Sequence, residues 1–260
     1  MTVSEKGLVI SLMIVGLVVG TTPSVTPQDP SANVEKGQAI FEQVCMPCHG
    51  IKGQGDGPAA FFIGSYSSPR PQDLTAGIFK FRSTSSGELP TDQDLFRTLT
   101  NGIPGFMPTF VGLTAEDRWH VVEYVKSLFP GFKEEEEEEV QPVTIGIPSV
   151  PSTPESIQRG KTIYFQFECD SCHGPNGRGE SALFQAGKLK DSRDLPIRPT
   201  DLTNFPSFKN GASTRAIART ILTGLDGTPM PSFADTFTDQ KEDIWHLVNF
   251  IRSLSEGSHP

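Results

Sequence analysis

The sequence is poor in three features that would each indicate a different class of protein. It has 22 Lys and Arg against 31 Asp and Glu, a formal net charge of −9, so it offers no basic stripe that could neutralise nucleic-acid phosphates. No segment shows the convincing alternation of apolar and polar residues that indicates a half-buried strand. The mostly apolar stretch at residues 8–20 is short for a membrane-spanning helix. We therefore exclude a nucleic-acid partner and expect a helical globular body.

Residues 1–33 are predicted to take the chain out of the cytoplasm. Lys6 precedes the apolar core at 8–20, and a spacer rich in Thr, Pro and Ser follows it, as in a signal peptide. No Ala-x-Ala-like cleavage site follows the core, and Glu5 lies beside Lys6. A retained membrane anchor therefore stays open as the alternative to cleavage.

Internal repetition divides the rest of the chain into two units. The sequence Cys-Met-Pro-Cys-His-Gly at 45–50 recurs as Cys-Asp-Ser-Cys-His-Gly at 169–174. Further landmarks recur in the same order: Gly37 and Phe41 with Gly160 and Tyr164, 70–75 with 198–203, Arg97-Thr98 with Arg219-Thr220, Met107-Pro108 with Met230-Pro231, and Trp119-His120 with Trp245-His246. We predict an export or anchor segment (1–33), domain 1 (34–129), a linker (130–154) and domain 2 (155–260).

The predicted linker is acidic and rich in proline. Residues 130–154 hold one base, six acids in a single run at 134–139, and five prolines. Like charges repel and proline favours extended backbone, so the linker should hold the domains apart or lie over their surface as a solvated tether. A docking strip for a basic partner is the alternative.

Helix signals recur at equivalent places in the two units. Each unit is predicted to open with a helix ending at its Cys motif (about 34–48 and 155–172). A second helix should follow at about 91–101 and 213–223, and an amphipathic helix at about 114–128 and 238–254 should close the unit. Thr114 and Thr238 are expected to cap the closing helices, because a Thr hydroxyl can accept from free backbone N–H groups. The fold class is therefore predicted to be all-α, with two tandem domains.

The repeated Cys-x-x-Cys-His motif indicates covalently attached haem. Two cysteines on one turn can form thioethers to the two vinyl groups of one porphyrin, and the adjacent histidine can reach the iron. The residues are Cys45, Cys48 and His49 in domain 1, and Cys169, Cys172 and His173 in domain 2. A shared zinc site would leave both histidines unexplained, and a redox-active dithiol would need a strand-to-helix setting. We predict two covalently bound haem c groups.

Methionine is predicted to supply the sixth iron ligand. Of the five methionines, Met1 and Met13 lie in the export segment and Met46 lies between cysteines, where it cannot reach across the ring. Met107 and Met230 remain, one in each domain, each followed by Pro in a Gly-rich loop. A core-filling methionine is the alternative for both.

Histidine is the rival sixth ligand. His120 and His246 follow Trp at the same point of each closing helix, although a hydrogen-bonding role is more common there. Coordination by His and Met raises the reduction potential and leaves the iron no open site, which favours electron transfer over catalysis.

Two weaker signals lie downstream of the Cys motifs. Arg70 and Arg198 open the repeated Arg-Pro-x-Asp-Leu-Thr segment, and each is predicted to hold a haem propionate; a local Arg–Asp pair is the alternative. The Gly-rich stretch at 50–57 resembles a phosphate-binding loop, but no strand precedes it. We interpret it as a loop around the haem edge.

Together these motifs closely resemble class I c-type cytochromes over residues 34–129 and 155–254. The resemblance implies an all-α fold around each haem, in the bacterial periplasm, either soluble or anchored to the inner membrane. It also implies that a Gly/aromatic pair on the first helix packs against an aromatic on the last. The sets are Gly37, Phe41 and Tyr124 in domain 1, and Gly160, Tyr164 and Phe250 in domain 2, with Phe165 as an alternative to Tyr164 because the second unit is one residue longer there.

The tandem arrangement resembles di-haem cytochromes that shuttle electrons in respiratory chains. Residues 70–84 are also similar to cytochromes that accompany periplasmic oxidoreductase complexes. The resemblance implies an electron carrier or an electron-transfer subunit, with redox proteins as donor and acceptor, rather than an enzyme. The enzyme alternatives are a di-haem peroxidase, which needs a displaceable sixth ligand, and a thiosulfate-oxidising type, which needs a distal Cys or His. A sensor module is a third class, but no output domain is present.

Overall fold

The computed structural model describes residues 32–62, 70–135, 141–146, 148, 150–238 and 241–256. Its helices are α1 (Val34–Val44), α2 (Met46–His49), α3 (Asp92–Asn101), α4 (Ala115–Ser127), α5 (Gly131–Glu135), α6 (Pro154–Gln166), α7 (Cys169–His173), α8 (Ala182–Gln185), α9 (Thr214–Thr223) and α10 (Asp243–Glu256). Short 3₁₀ turns lie at Pro58–Phe61, Phe205–Ser207 and Asp235–Phe237. These residues form no β-strand, only two isolated bridges, and the all-α prediction is confirmed.

The predicted export or anchor segment lies almost wholly outside the described residues, and so does most of the acidic run. Within the ranges given above, no helix combines the length and apolarity needed to cross a membrane.

The first and last helices of each domain cross at a glycine. In domain 1, α1 packs on α4, and a Cβ added to Gly37 would overlap the backbone carbonyl of His120. Phe41 lies beside that crossing, with its ring centroid 5.0 Å from that of Tyr124. Both aromatic rings are buried. The packing expected from the family resemblance is confirmed for this domain.

Domain 2 repeats the crossing with α6 on α10. Gly160 meets the carbonyl of His246, and Tyr164 packs on Phe250 with centroids 5.3 Å apart. Tyr164 is 1% exposed, whereas Phe165 is 40% exposed, so Tyr164 is the packing residue. The additional residue before the Cys motif is accommodated at Glu168, which takes the left-handed conformation at φ 53°.

Of the two predicted threonine caps, the structure shows one. Thr114 caps α4 by accepting from Asp117 N, and Thr91 and Ser213 cap α3 and α9. The prediction for Thr238 is wrong, because α10 begins at Asp243. Thr238 instead ends a 3₁₀ turn that carries the buried ring of Phe237 into the core.

The opening helices are also interrupted, where continuous helices were expected. Cys45 separates α1 from α2, and Pro47, which lacks a backbone N–H, lies in the first turn of the new helix. In domain 2 the break falls at residues 167–168. Each Cys motif therefore lies on a short helix of its own.

The described part of the linker lies against the domains. Val143 donates its N–H to the Ser83 carbonyl at 2.7 Å, while Ile145 and Val150 pack against the core of domain 2. The backbone at Val150 also accepts from Asn249 Nδ2. Over these residues the linker covers the domain surface rather than holding the domains apart.

Candidate haem sites

The structure brings the predicted site residues of both domains into the wall of one cavity. Its volume is about 570 Å³, and most of its lining is apolar. The wall includes Cys45, Cys48, His49, Arg70 and Met107 from domain 1, and Cys169, Cys172, His173, Arg198 and Met230 from domain 2. The two domains thus face each other across their sites, an arrangement that the repeat alone does not predict.

Burial disfavours the thiolate form of one cysteine in each Cys motif. Burial raises the pKa of Cys45 to about 12 and that of Cys169 to about 11. A reactive or metal-binding cysteine needs the opposite shift, because the thiolate is the active form. No group of three or more His, Cys, Asp or Glu side chains in the described residues could hold a metal ion. The zinc and dithiol alternatives therefore find no support in the geometry.

Each motif histidine is held by one ring nitrogen. His49 Nδ1 lies 3.1 Å from the Gln72 carbonyl oxygen, and His173 Nδ1 lies 3.1 Å from that of Thr200. Burial lowers the pKa of both imidazoles, which favours the neutral ring. An Nδ1–H that donates to a carbonyl leaves the Nε2 lone pair free for a metal, the usual arrangement of a ligating histidine.

The repeated Arg-Pro-x-Asp-Leu-Thr segment supplies those carbonyls. In domain 1 its Asp73 carboxylate accepts from Thr75 N at 2.9 Å and from Thr75 Oγ1 at 2.6 Å. The same turn forms between Asp201 and Thr203. The aspartate therefore bonds within the turn just after the carbonyl that holds the histidine.

The loops that carry the two methionines close on themselves. Ile103 and Met107 exchange backbone hydrogen bonds of 2.8 and 2.9 Å. In domain 2 the Leu225 N–H donates to the Met230 carbonyl at 3.1 Å. Gly102 and Gly224, which end the preceding helices at φ 64° and 66°, make these sharp turns accessible without strain. Each loop brings its methionine to the cavity wall.

The rival histidines lie elsewhere. His120 is 1% exposed and accepts from Asn33 N through Nδ1 at 2.9 Å. His246 Nδ1 lies 2.9 Å from Ser156 Oγ. Neither lines the cavity; both tie the closing helix to the start of the opening helix.

Both predicted arginines line the cavity. Arg70 stacks over Phe61 at 5.3 Å, and its Nε–H is buried without a hydrogen-bond partner. A buried donor without a partner fits an anionic group that remains to be bound. Arg198 stacks over Phe184 at 5.6 Å and approaches Glu180 at 3.2 Å. Propionate binding by these arginines remains a prediction.

The Gly-rich stretch after the first Cys motif folds back on that motif. Gly55 N donates to the His49 carbonyl at 2.8 Å, and Gly57 N donates to the Cys48 carbonyl at 3.2 Å. The Gly53 carbonyl in turn accepts from Leu74 N. With these N–H groups already bonded, the loop supports the Cys motif and offers little to a phosphate.

Two cavity residues were missed from the sequence. Lys80 and Lys209 line the cavity, and burial lowers the pKa of both amines. They follow Phe79 and Phe208, so the pair Phe-Lys is itself repeated. That additional repeat landmark could have identified them as site residues.

The donor set and the cavity fit one haem in each domain. Each site offers two thiols, one neutral imidazole and one thioether around a largely apolar space. Tetrahedral metal sites and nucleotide sites would need donors that these residues do not arrange.

Comparisons with known proteins agree with this geometry. Residues 32–125 match the family described as cytochrome C oxidase, cbb3-type, subunit III, and residues 157–255 match the cytochrome c family. A cytochrome c of Tetrahymena pyriformis is 32% identical over 115 residues, covering 39% of this chain and 99% of the relative.

A solved structure matches over both domains. It is a chain of the reducing HAO-like protein complex of Kuenenia stuttgartiensis, with 37% identity and a TM-score of 0.73. The match covers 85% of this chain and 96% of that chain.

Proposed function

The chain belongs to the cytochrome c family, as two c-type domains in tandem with two covalently bound haem c groups, and on that premise we propose that it relays single electrons between redox proteins of a respiratory chain. Cytochrome c domains transfer electrons. The finer proposal is that this chain acts as a carrier or as the electron-transfer subunit of a larger oxidoreductase complex, and that it is not itself an enzyme.

The shared cavity is the observation that carries the proposal. Side chains for both haems line one continuous, mostly apolar space. When bound, each haem supplies an iron that alternates between Fe(III) and Fe(II). The lining residues of the two domains would hold both groups in surroundings of low polarity, which would set their potentials. An electron entering at one domain can therefore leave at the other.

The methionines argue against an enzyme. A peroxidase needs a displaceable sixth ligand, whereas Met107 and Met230 each lie on a closed loop at the cavity wall. A distal cysteine is unavailable because all four cysteines belong to the two Cys-x-x-Cys-His motifs. The histidines His120 and His246 bond to Asn33 and Ser156 instead.

We propose a periplasmic location and assembly with a larger oxidoreductase. The signal-like or anchor-like residues 1–33 support the location. The structural relative, which belongs to a reducing HAO-like protein complex and is matched over nearly its whole length, supports the assembly. Fractionation of the native cells, with intact-mass measurement of the haem-containing chain, tests the location and distinguishes cleavage from a retained anchor.

The decisive test is magnetic circular dichroism of the oxidised protein in the long-wavelength band that reports methionine sulfur on ferric haem. Normalised to haem content, the band should correspond to two Met-ligated haems. Met107→Ala and Met230→Ala should each remove half of it. Met46→Leu, which alters a methionine packed beside Cys45, should remove none. A band equal to one haem or none would show that at least one haem lacks a methionine ligand. An open or His-ligated site, and with it redox catalysis, would then be the favoured interpretation.

A further inference from the structure

One arginine of domain 1 is buried at the contact with domain 2. Arg82 is 0% exposed. Within its own domain, its Nε donates to the Ser85 carbonyl at 3.0 Å and its Nη1 to the Phe79 carbonyl at 3.4 Å. Its Nη2 crosses the domain boundary and donates to the Thr223 carbonyl and to Asp226 Oδ1, both at 2.8 Å. The guanidinium therefore uses its fork of donors on both domains at once.

The groups that Arg82 meets in domain 2 lie at the start of the loop that carries Met230. Thr223 is the last residue of α9, whose terminal carbonyls lack helical partners and carry partial negative charge. Asp226 lies four residues before Met230. The Asp226 carboxylate also accepts from Ser86 Oγ at 2.7 Å and Gly87 N at 2.8 Å. Domain 1 thus holds both the start of the loop and its one carboxylate.

The equivalent contact in the other direction is much weaker. By the repeat, Arg82 corresponds to Gly211, which has no side chain, and Asp226 corresponds to Pro104, which has no carboxylate. Among the residues that the structure describes, the loop of Met107 receives one cationic contact from domain 2, with Lys209 Nζ 5.4 Å from the centre of the Phe106 ring. A cation over an aromatic ring positions a loop less firmly than a multiply bonded ion pair whose guanidinium is buried.

We propose that Arg82 is a positioning residue that acts across the domain boundary and keeps Met230, but not Met107, on its haem. Domain 1 then controls how readily the sixth ligand of domain 2 leaves. Met107, whose loop lacks such a clamp, is the more easily displaced ligand. This inference rests on the proposed function, because it takes both methionines to be iron ligands.

The test follows displacement of methionine by added imidazole in the oxidised protein. In a Met107→Ala background the sulfur band reports Met230 alone, and in a Met230→Ala background it reports Met107 alone. We expect Arg82→Gln to speed the loss of the band about tenfold or more in the first background and to leave the second unchanged. Asp226→Asn removes the charge on the loop side of the same ion pair and should also speed the loss of the band. It serves as the test if Arg82→Gln yields no folded protein.

Arg193→Gln is the matched control. Arg193 also crosses the boundary, donating to the carbonyls of Pro71 and Arg70 at 3.1 and 3.4 Å, but its side chain holds no methionine loop. Equal acceleration in both backgrounds, acceleration by Arg193→Gln as large as by Arg82→Gln, or no acceleration by either loop-contact variant would overturn the inference. Absence of the band from the Met107→Ala protein with Arg82 intact would instead refute Met230 ligation, and with it the proposed function.

Discussion

The Nδ1 atom of His173 lies 3.1 Å from the backbone carbonyl oxygen of Thr200, and this distance repeats between His49 and Gln72 in the other domain. A hydrogen bond at Nδ1 orients the ring and increases the basicity of Nε2. The next residue, Asp201, accepts from Thr203 N at 2.9 Å and Thr203 Oγ1 at 2.7 Å. The side chain of Asp201 therefore fixes the turn that positions the Thr200 carbonyl, and that carbonyl in turn orients the His173 ring.

Asp201→Ala should raise the reduction potential of one haem. Without the carboxylate the turn loosens and the bond from His173 lengthens, so the imidazole donates less electron density and the ferric state is less favoured. A spectroelectrochemical titration should show one of the two potentials rising by some tens of millivolts while the other stays constant. Asp201→Asn preserves an acceptor for the turn and should leave both potentials near their original values. A uniform shift of both potentials would contradict this account.

Gly37→Ala should destabilise domain 1. The added methyl would overlap the carbonyl of His120 and press on Tyr124 Cβ, so α1 and α4 must separate. Over-packing of this kind costs about 1–3 kcal/mol, measurable by chemical denaturation. Gly112→Ala is the control, because no atom lies within 4 Å of an added Cβ there. It should be neutral or stabilise by about 0.5 kcal/mol, and equal losses in the two variants would refute the packing argument.

The features that the sequence predicts well are local and repeated. Cys45 and His49 lie on one turn, so their cooperation is encoded in spacing alone. Gly37 and Tyr124 are distant in sequence, and their contact was expected only through the family resemblance. The repeat doubled each signal, and Met107 and Met230 occupy equivalent positions in the two domains, which is why they could be proposed as candidate ligands.

The features that the sequence does not predict depend on how the two domains meet. Arg82 and Asp226 are separated by 144 positions, and their counterparts in the other repeat, Gly211 and Pro104, carry no charge, so no pattern in the chain connects them. The start of α10 was also predicted wrongly. Thr238 lies at the end of the 3₁₀ turn that buries Phe237, and tertiary context commonly overrides such local preferences.

His120→Leu should lower stability without altering the haem spectrum. His120 Nδ1 accepts the Asn33 N–H at 2.9 Å, and leucine leaves that N–H without its acceptor beside a buried side chain. The loss of one such bond at an exposed residue costs about 0.5–1.5 kcal/mol. Denaturation midpoints should fall, while the methionine-sulfur band keeps its full intensity. A weaker band at full haem content would show that this histidine acts at the iron after all.

Tyr164→Phe should also destabilise the protein, by an amount that depends on pH. The Tyr164 hydroxyl donates to the Gly174 carbonyl at 2.6 Å, a bond of about 1 kcal/mol that phenylalanine cannot make. Phe41, its counterpart in domain 1, shows that the site accepts the smaller ring. Urea denaturation of the reduced protein at about pH 8 should therefore give a free energy of unfolding about 1 kcal/mol lower for the variant.

The same pair of proteins tests the titration of Tyr164. Burial raises the pKa of the Tyr164 hydroxyl well above its usual value, so the folded state keeps this proton while the unfolded state loses it above about pH 10. The unfolded state then binds fewer protons, and the stability that Tyr164 contributes declines as pH rises. The free-energy difference between wild type and Tyr164→Phe should shrink by about 1 kcal/mol between about pH 8 and pH 11. Because all other titrating groups are common to both proteins, a difference independent of pH would show that Tyr164 ionises in the folded state as readily as in the unfolded chain.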